Sequence, residues 1–270
     1  MSLDGNTDLN SDTSDTLLET SKDDGFPTPF DLDFESFTRL QLKNYCQIRN
    51  YKIDSITNEF FNWASHLASF LAILIISIYL IDSSDSGLKK FAFSYYLFSN
   101  CLMLGGSVLH HGIGLNGYSI GLYRLFRMVD HCGIFFVISG TFAPIALVCC
   151  GRVGFAVFYY LNFVMILAVS LKLTTRHTLN QNVFNFVYLA MGWSSIFLLY
   201  FIQKSIGWGA VVWLFFGGTS YSVGIVFFQL GRPNPWRGVF CSHEIWHCFV
   251  SLGVFLMVPP MFSVLKYAEK

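Results

Sequence analysis

The sequence predicts an all-α membrane protein: a seven-transmembrane helix bundle with the N-terminus cytosolic and the C-terminus outside. Three observations predict it. First, the 270 residues are 53% hydrophobic and 13% charged, whereas soluble domains carry about 25% charged residues. Second, seven apolar runs follow one another, each near the roughly 20 residues that a helical span needs. Third, the few acids and histidines beyond the N-terminal segment gather at the mouths of those runs.

Taken in order, residues 1–26 are rich in Ser, Thr, Asp and Asn, the composition of a disordered acidic tail. Ten of the 17 acids lie in residues 1–36. No basic stretch leads into a short apolar core there, so a cleavable signal peptide is not expected and the first membrane helix serves as its own insertion signal. Residues 27–56 mix Phe30, Phe34 and Phe37 with Arg39, Lys43, Arg49 and Lys52, as a juxtamembrane interfacial segment does.

The membrane domain is expected over 57–266, with apolar runs at about 60–81, 91–111, 129–150, 153–172, 183–203, 207–229 and 244–265. Short connections make neighbouring helices antiparallel. Gly105, Gly106, Gly140, Gly217, Gly218 and Gly224 suit close helix contact. Pro144 and the pair Pro259-Pro260 are expected to kink the third and seventh helices.

Basic residues set the orientation. With the N-terminus inside, ten cations fall on the cytosolic side (Arg124, Arg127 and Lys172 among them) against six outside, which include Lys89 and Lys204. Seven cysteines contain no C-x-x-C pair, so neither a disulfide framework nor a cysteine-built zinc site is expected. No basic cluster suits nucleic acid. The partners expected are the bilayer and a membrane lipid as substrate or ligand; protein partners stay open.

Ionisable groups at membrane depth are costly and usually functional. Glu59, Asp130 and Glu244 open the first, third and seventh helices, and His111 closes the second. Odd-numbered helices begin on the face where the second ends. Glu59, His111, Asp130, His243 and His247 therefore share one depth and one side. His243 and His247 lie four apart, on one face of a helix, a spacing at which two imidazoles hold one metal ion. A third histidine and a water complete the open tetrahedral coordination of catalytic Zn2+.

Asp130 is the carboxylate placed to take a proton beside such a site. Ser107 lies four residues before His111 and offers a hydroxyl to the same pocket. Helical phase does not choose between His110 and His111. Glu59, Asn62 and His66 form one stripe of the first helix, read as a supporting hydrogen-bond network rather than as ligands. The competing reading of the histidine pair is interfacial snorkelling. His243-Glu244-x-x-His247 also matches H-E-x-x-H, the zinc-protease pattern, with Glu244 as base.

Four segments together resemble the progestin and adipoQ receptor family and its bacterial relatives, the haemolysin III proteins, over about residues 45–265. They are Glu59-x-x-Asn62-x-x-Ser65-His66, Ser107-x-x-x-His111, Asp130 through Pro144, and His243-x-x-Trp246-His247. The resemblance implies seven helices around a zinc ion held by His111, His243 and His247. It implies that Asp130 contacts the water at the metal, with Ser107 beside it. It also implies kinship with membrane hydrolases of lipid amides, of the alkaline ceramidase kind. The sequence differs from the receptor branch at Glu244, where receptors often have Gln, and in the loop Arg232-Pro233-Asn234-Pro235-Trp236. Three functions are carried forward: a zinc-dependent lipid amide hydrolase, a seven-helix receptor with a structural or regulatory zinc, and an H-E-x-x-H membrane metalloprotease.

Overall fold

The structure, a computed structural model, describes residues 59–113, 120–175, 180–236 and 239–268. The segments expected over 1–26 and 27–56 lie outside the described residues. Among the described residues the chain is helical throughout, with no strand and one isolated bridge between Trp236 and Phe240. Six segments are long and apolar enough to cross a membrane. The count is six because the fifth and sixth apolar runs join into one helical stretch, Gln181–Leu230.

Helix α1 (Phe60–Asp82) buries Asn62, His66, Ser69, Ile73, Ser77 and Leu80 and exposes Leu71, Ile75, Ile78 and Tyr79. The buried stripe is the more polar one. That inversion belongs to lipid, where apolar side chains gain nothing by hiding and small polar groups bond between helices. Helix α2 (Gly87–Asn100) starts at Ser86, whose Oγ accepts from the Lys89 amide at 3.3 Å. It runs into a π-helical turn, Cys101–Gly105, and on into α3 (Gly106–Ile113). Helix α4 (Ile120–Pro144) continues into a second π-helical turn, Ile145–Cys149. It is the most deeply buried span.

Helix α5 (Gly151–Thr175) returns, and α6 (Gln181–Trp193) leads through a 3-10 turn into α7 (Leu199–Leu230). Gly207 interrupts α7 with φ 85 and ψ 171, a conformation open to glycine. Helix α8 (Ser242–Leu256) ends at Met257, and α9 (Val258–Lys266) begins there with Pro259 and Pro260 in its first turn. Prolines are tolerated at that position because the first amides have no intrahelical partner. Pro144 ends α4 where the π turn takes over. Helix α8 packs against both α7 and α1, while α4 packs against α2, α3, α5 and α6.

Two glycines decide how closely helices approach. At Gly133 of α4, an added Cβ would lie 2.6 Å from the Cα of Met103 in the first π turn. At Gly106 it would lie 3.2 Å from the backbone nitrogen of Asp130. These contacts bring α3 against α4. Lys89, expected on the outer side of the membrane, is buried within the protein. Its Nζ sits 2.9 Å from Asp85 and 3.1 Å from the carbonyl of Leu265, tying the start of α2 to the end of α9.

Candidate metal centre

The start of α8 is a built helix terminus. Its Cys241 amide donates to Glu244 Oε2 at 2.8 Å, and the Ser242 amide donates to Asn234 Oδ1 at 2.9 Å. Glu244 thereby caps its own helix, a role that acids take at N-termini. Its other oxygen accepts from Asn62 Nδ2 at 2.8 Å. Glu244 is fully buried, and both carboxylate oxygens are engaged in holding α8 to its cap and to α1. This placement sets His243 and His247 on the first turns of α8.

One ligand atom from each of His111, His243 and His247 lies within 4.8 Å of the others. The Nε2 atoms of His243 and His247 are 3.3 Å apart. That separation is about the edge of a tetrahedron whose centre is 2.0–2.1 Å from each nitrogen, the Zn–N distance. His111 Nδ1 donates to Glu59 Oε2 at 2.6 Å. A carboxylate only accepts, so the ring proton sits on Nδ1 and the lone pair on Nε2. His111 Nε2 is buried and has no partner. An orphaned buried acceptor beside two imidazole nitrogens is the donor set of a three-histidine metal site. The residues present fit a Zn2+ ion.

Glu59 then occupies the outer position that orients a ligating histidine. It adopts φ 63, outside the usual range for a residue with a side chain, at a cost of about 1–2 kcal/mol. Bonds to His111 and to Asn62 Nδ2 (2.8 Å) hold it there.

His66 bonds through Nδ1 to Ser107 Oγ at 2.8 Å and stacks on His247 at 3.9 Å between ring centroids. Ser107 lies on α3, which packs against α4, the helix that carries Asp130. Asp130 shares a second cluster with His110 and His111, again with donor atoms within 4.8 Å. The structure therefore brings together all eight residues singled out in the sequence: His111, His243, His247, Asp130, Ser107, Glu59, Asn62 and His66. Sequence reasoning missed Asn234, whose loop position gave no hint that it caps α8. Only the rival protease reading gave Glu244 a role, as a base, although an acid at the third helical position is a capping signal.

Beside the centre lies a cavity of about 610 Å³, lined by apolar side chains including Ile134, Val137, Tyr188, Trp246 and Val250. Trp246 adjoins His247 in sequence, so the cavity reaches the turn of α8 that carries the histidines. Other lining residues, Ile196, Trp208 and Phe215, are exposed on the outer surface between α6 and α7.

Comparison with known proteins gives a consistent result. The family described as "Haemolysin-III related" matches residues 54–258. The chain is 28% identical over 217 residues to "Hemolysin-3" of Bacillus cereus, covering 78% of this chain and 92% of that protein. It is 29% identical over 149 residues to the "Hemolysin-3 homolog" of Bacillus subtilis (strain 168), covering 54% of this chain and 64% of that protein.

Proposed function

This chain belongs to the haemolysin-III related family and is an integral, multi-pass membrane protein; from that premise we propose that it is a zinc-dependent hydrolase of lipid amides. The observation that carries the reading is the buried, unpartnered Nε2 of His111, on a ring that brings a ligand atom within 4.8 Å of those of His243 and His247. His111, His243 and His247 hold the ion in this reading. When bound, Zn2+ supplies Lewis acidity, polarising an amide carbonyl and making water acidic near pH 7.

The chain's own residues do the remainder. Asp130, half-buried beside His111, accepts the proton that water loses on attack and returns it to the departing amine. Ser107 and His66 fix the Asp130 side of the pocket through their mutual hydrogen bond. Glu59 holds the His111 ring with its lone pair inward. The apolar cavity takes the acyl chain, entering from lipid between α6 and α7. An amide inside an apolar slot is shielded from bulk water, which strengthens every polar contact made to it.

The bundle has seven spans in this reading, with the N-terminus cytosolic and the C-terminus outside. The stretch Gln181–Leu230 contains 50 residues. At 1.5 Å per residue it would measure about 75 Å, more than twice the roughly 30 Å core of a bilayer. The break at Gly207 divides it into 181–206 and 208–230.

A receptor with the same zinc site is the second reading. In it the carboxylate beside His111, Asp130, has no task. The protease reading fails on Glu244, whose oxygens are bound to Cys241 and Asn62. The deciding experiment incubates purified protein with a panel of lipid amides, ceramides included, and follows fatty acid release. Wild type is expected to hydrolyse at least one. Asp130→Asn is expected to lose activity by 100-fold or more, on the order of a general-base contribution, while retaining its metal. Absence of release from every lipid, with metal bound, would exclude the hydrolase and leave the receptor.

A further inference from the structure

Apart from the histidine centre, the described residues include a buried ammonium with no carboxylate partner. Lys172, in the last turn of α5, is only 5% exposed. Neither ion pair among the described residues involves it. A lysine at a membrane interface normally extends its amine to water; this one does not. Its Nζ donates to Gln181 Oε1 at 3.1 Å and lies 4.1 Å from the centre of the Phe184 ring. Gln181 Nε2 in turn donates to Asn185 Oδ1 at 3.0 Å.

The lysine fixes both amides. An ammonium only donates, so the Gln181 atom facing it is oxygen. The Gln181 nitrogen then requires an acceptor, so Asn185 faces it with oxygen. Flipping either amide would set donor against donor. What remains is Asn185 Nδ2, a donor buried without a partner on a residue 3% exposed. The cluster thus ends in one cationic donor and one unsatisfied neutral donor. No carboxylate forms an ion pair with Lys172 among the described residues. An unsatisfied buried donor costs about 1–3 kcal/mol, and an uncompensated ammonium at this depth is costlier still. Both are relieved by an anionic oxygen acceptor.

The surroundings say which kind. Tyr188 follows Asn185 by one turn of α6, donates to the His131 carbonyl at 3.0 Å and lines the apolar cavity. Along α6 a cationic polar cluster therefore gives way within one turn to an apolar slot. That is the outline of an amphiphile with a negative head. We propose that Lys172, Gln181 and Asn185 bind the phosphate of an anionic membrane lipid where α5 ends and α6 begins. The site needs neither the metal nor hydrolysis.

The test is thermal unfolding of the purified full-length protein in a neutral detergent. Dioctanoyl phosphatidate, dioctanoyl phosphatidylcholine and inorganic phosphate are added separately. Phosphatidate at about 100 times its Kd is expected to raise Tm by roughly 5 °C, with phosphatidylcholine and inorganic phosphate giving no shift. Asn185→Leu and Lys172→Met are each expected to abolish the shift, and Lys172→Arg to retain it. Should Lys172→Met not fold, Asn185→Leu carries the test alone. An equal shift from phosphatidylcholine would overturn the anionic head group. An equal shift from inorganic phosphate would make this a free-anion site instead. No shift from phosphatidate, or one that survives Asn185→Leu, would refute the site. A chelator added to the same samples is expected to leave the phosphatidate shift intact, so the result stands apart from the zinc reading.

Discussion

At the scale of residues, the centre was legible because charge is scarce. In a chain with seven acids beyond residue 36, each one at a helix mouth stands out, and the helix ends fix which of them share a face. Phase was not legible. The π turn at Cys101–Gly105 inserts an extra residue's worth of rotation ahead of α3, so extrapolating an ideal helix through α2 misplaces His110 and His111. The structure resolves the choice by bonding: His111 is buried against Glu59 through Nδ1, which leaves its Nε2 without a partner in the cluster it shares with His243 and His247. His247→Ala is therefore expected to reduce bound zinc from about one ion per chain to none, measured by metal analysis of purified protein. Glu59→Ala removes the acceptor that orients His111. Outer partners of this kind are worth about 10–100-fold in metal affinity, so a competitive chelator titration should show weakening in that range. Affinity unchanged in Glu59→Ala would mean that packing alone orients His111. Lys172 and Asn185 were illegible for the opposite reason. A lysine near a helix end reads as a loop charge, and only coordinates show that it is buried.

At the scale of elements, the apolar runs match the long helices to within a few residues, apart from the fifth and sixth, which join into the single stretch Gln181–Leu230; length and hydropathy are local properties. The breaks at Pro144 and Pro259-Pro260 were predicted from the prolines, but the π turn at Cys101–Gly105 was not, because it answers to a neighbouring helix. Gly133 shows how. It meets the backbone of Met103 in the π turn, and that turn sets the rotation of α3, hence the aim of Ser107 and His111. The Cβ of Gly133→Ala would fall 2.6 Å from a backbone atom that cannot rotate away. The expected cost is about 1–3 kcal/mol, the range for overpacking, and α3 should shift with it. Reduced Tm and weakened metal binding are expected together. Gly87→Ala is the control, since its Cβ meets nothing within 4 Å; it should leave metal binding as it was. If Gly133→Ala lowers Tm but binds metal with wild-type affinity, the π turn does not position the histidines.

At the scale of the whole molecule, the question is whether the chain crosses the membrane an even or odd number of times. The sequence separates the fifth and sixth runs at Ile206-Gly207, while the structure carries helix across them with only Gly207 out of helical geometry. Length decides between a kink and a turn of direction. A straight helix through Gln181–Leu230 would place a long exposed stretch that includes Tyr200, Trp208 and Phe215 partly beyond the hydrocarbon. Large apolar side chains there would face water, whereas two spans keep all of them in lipid. Two spans also leave Lys204, beside Gly207, at the outer interface with the rest of the outside cations. Seven crossings put the two ends of the chain on opposite faces; six put them on one. With tags at both ends and protease added to sealed vesicles of known sidedness, the C-terminal tag is expected to be cut from the outer side. The N-terminal tag should be cut only after permeabilisation. Cleavage of both tags from one side would show an even number of crossings. It would also contradict the shared depth at which the histidines, Asp130 and Glu59 meet.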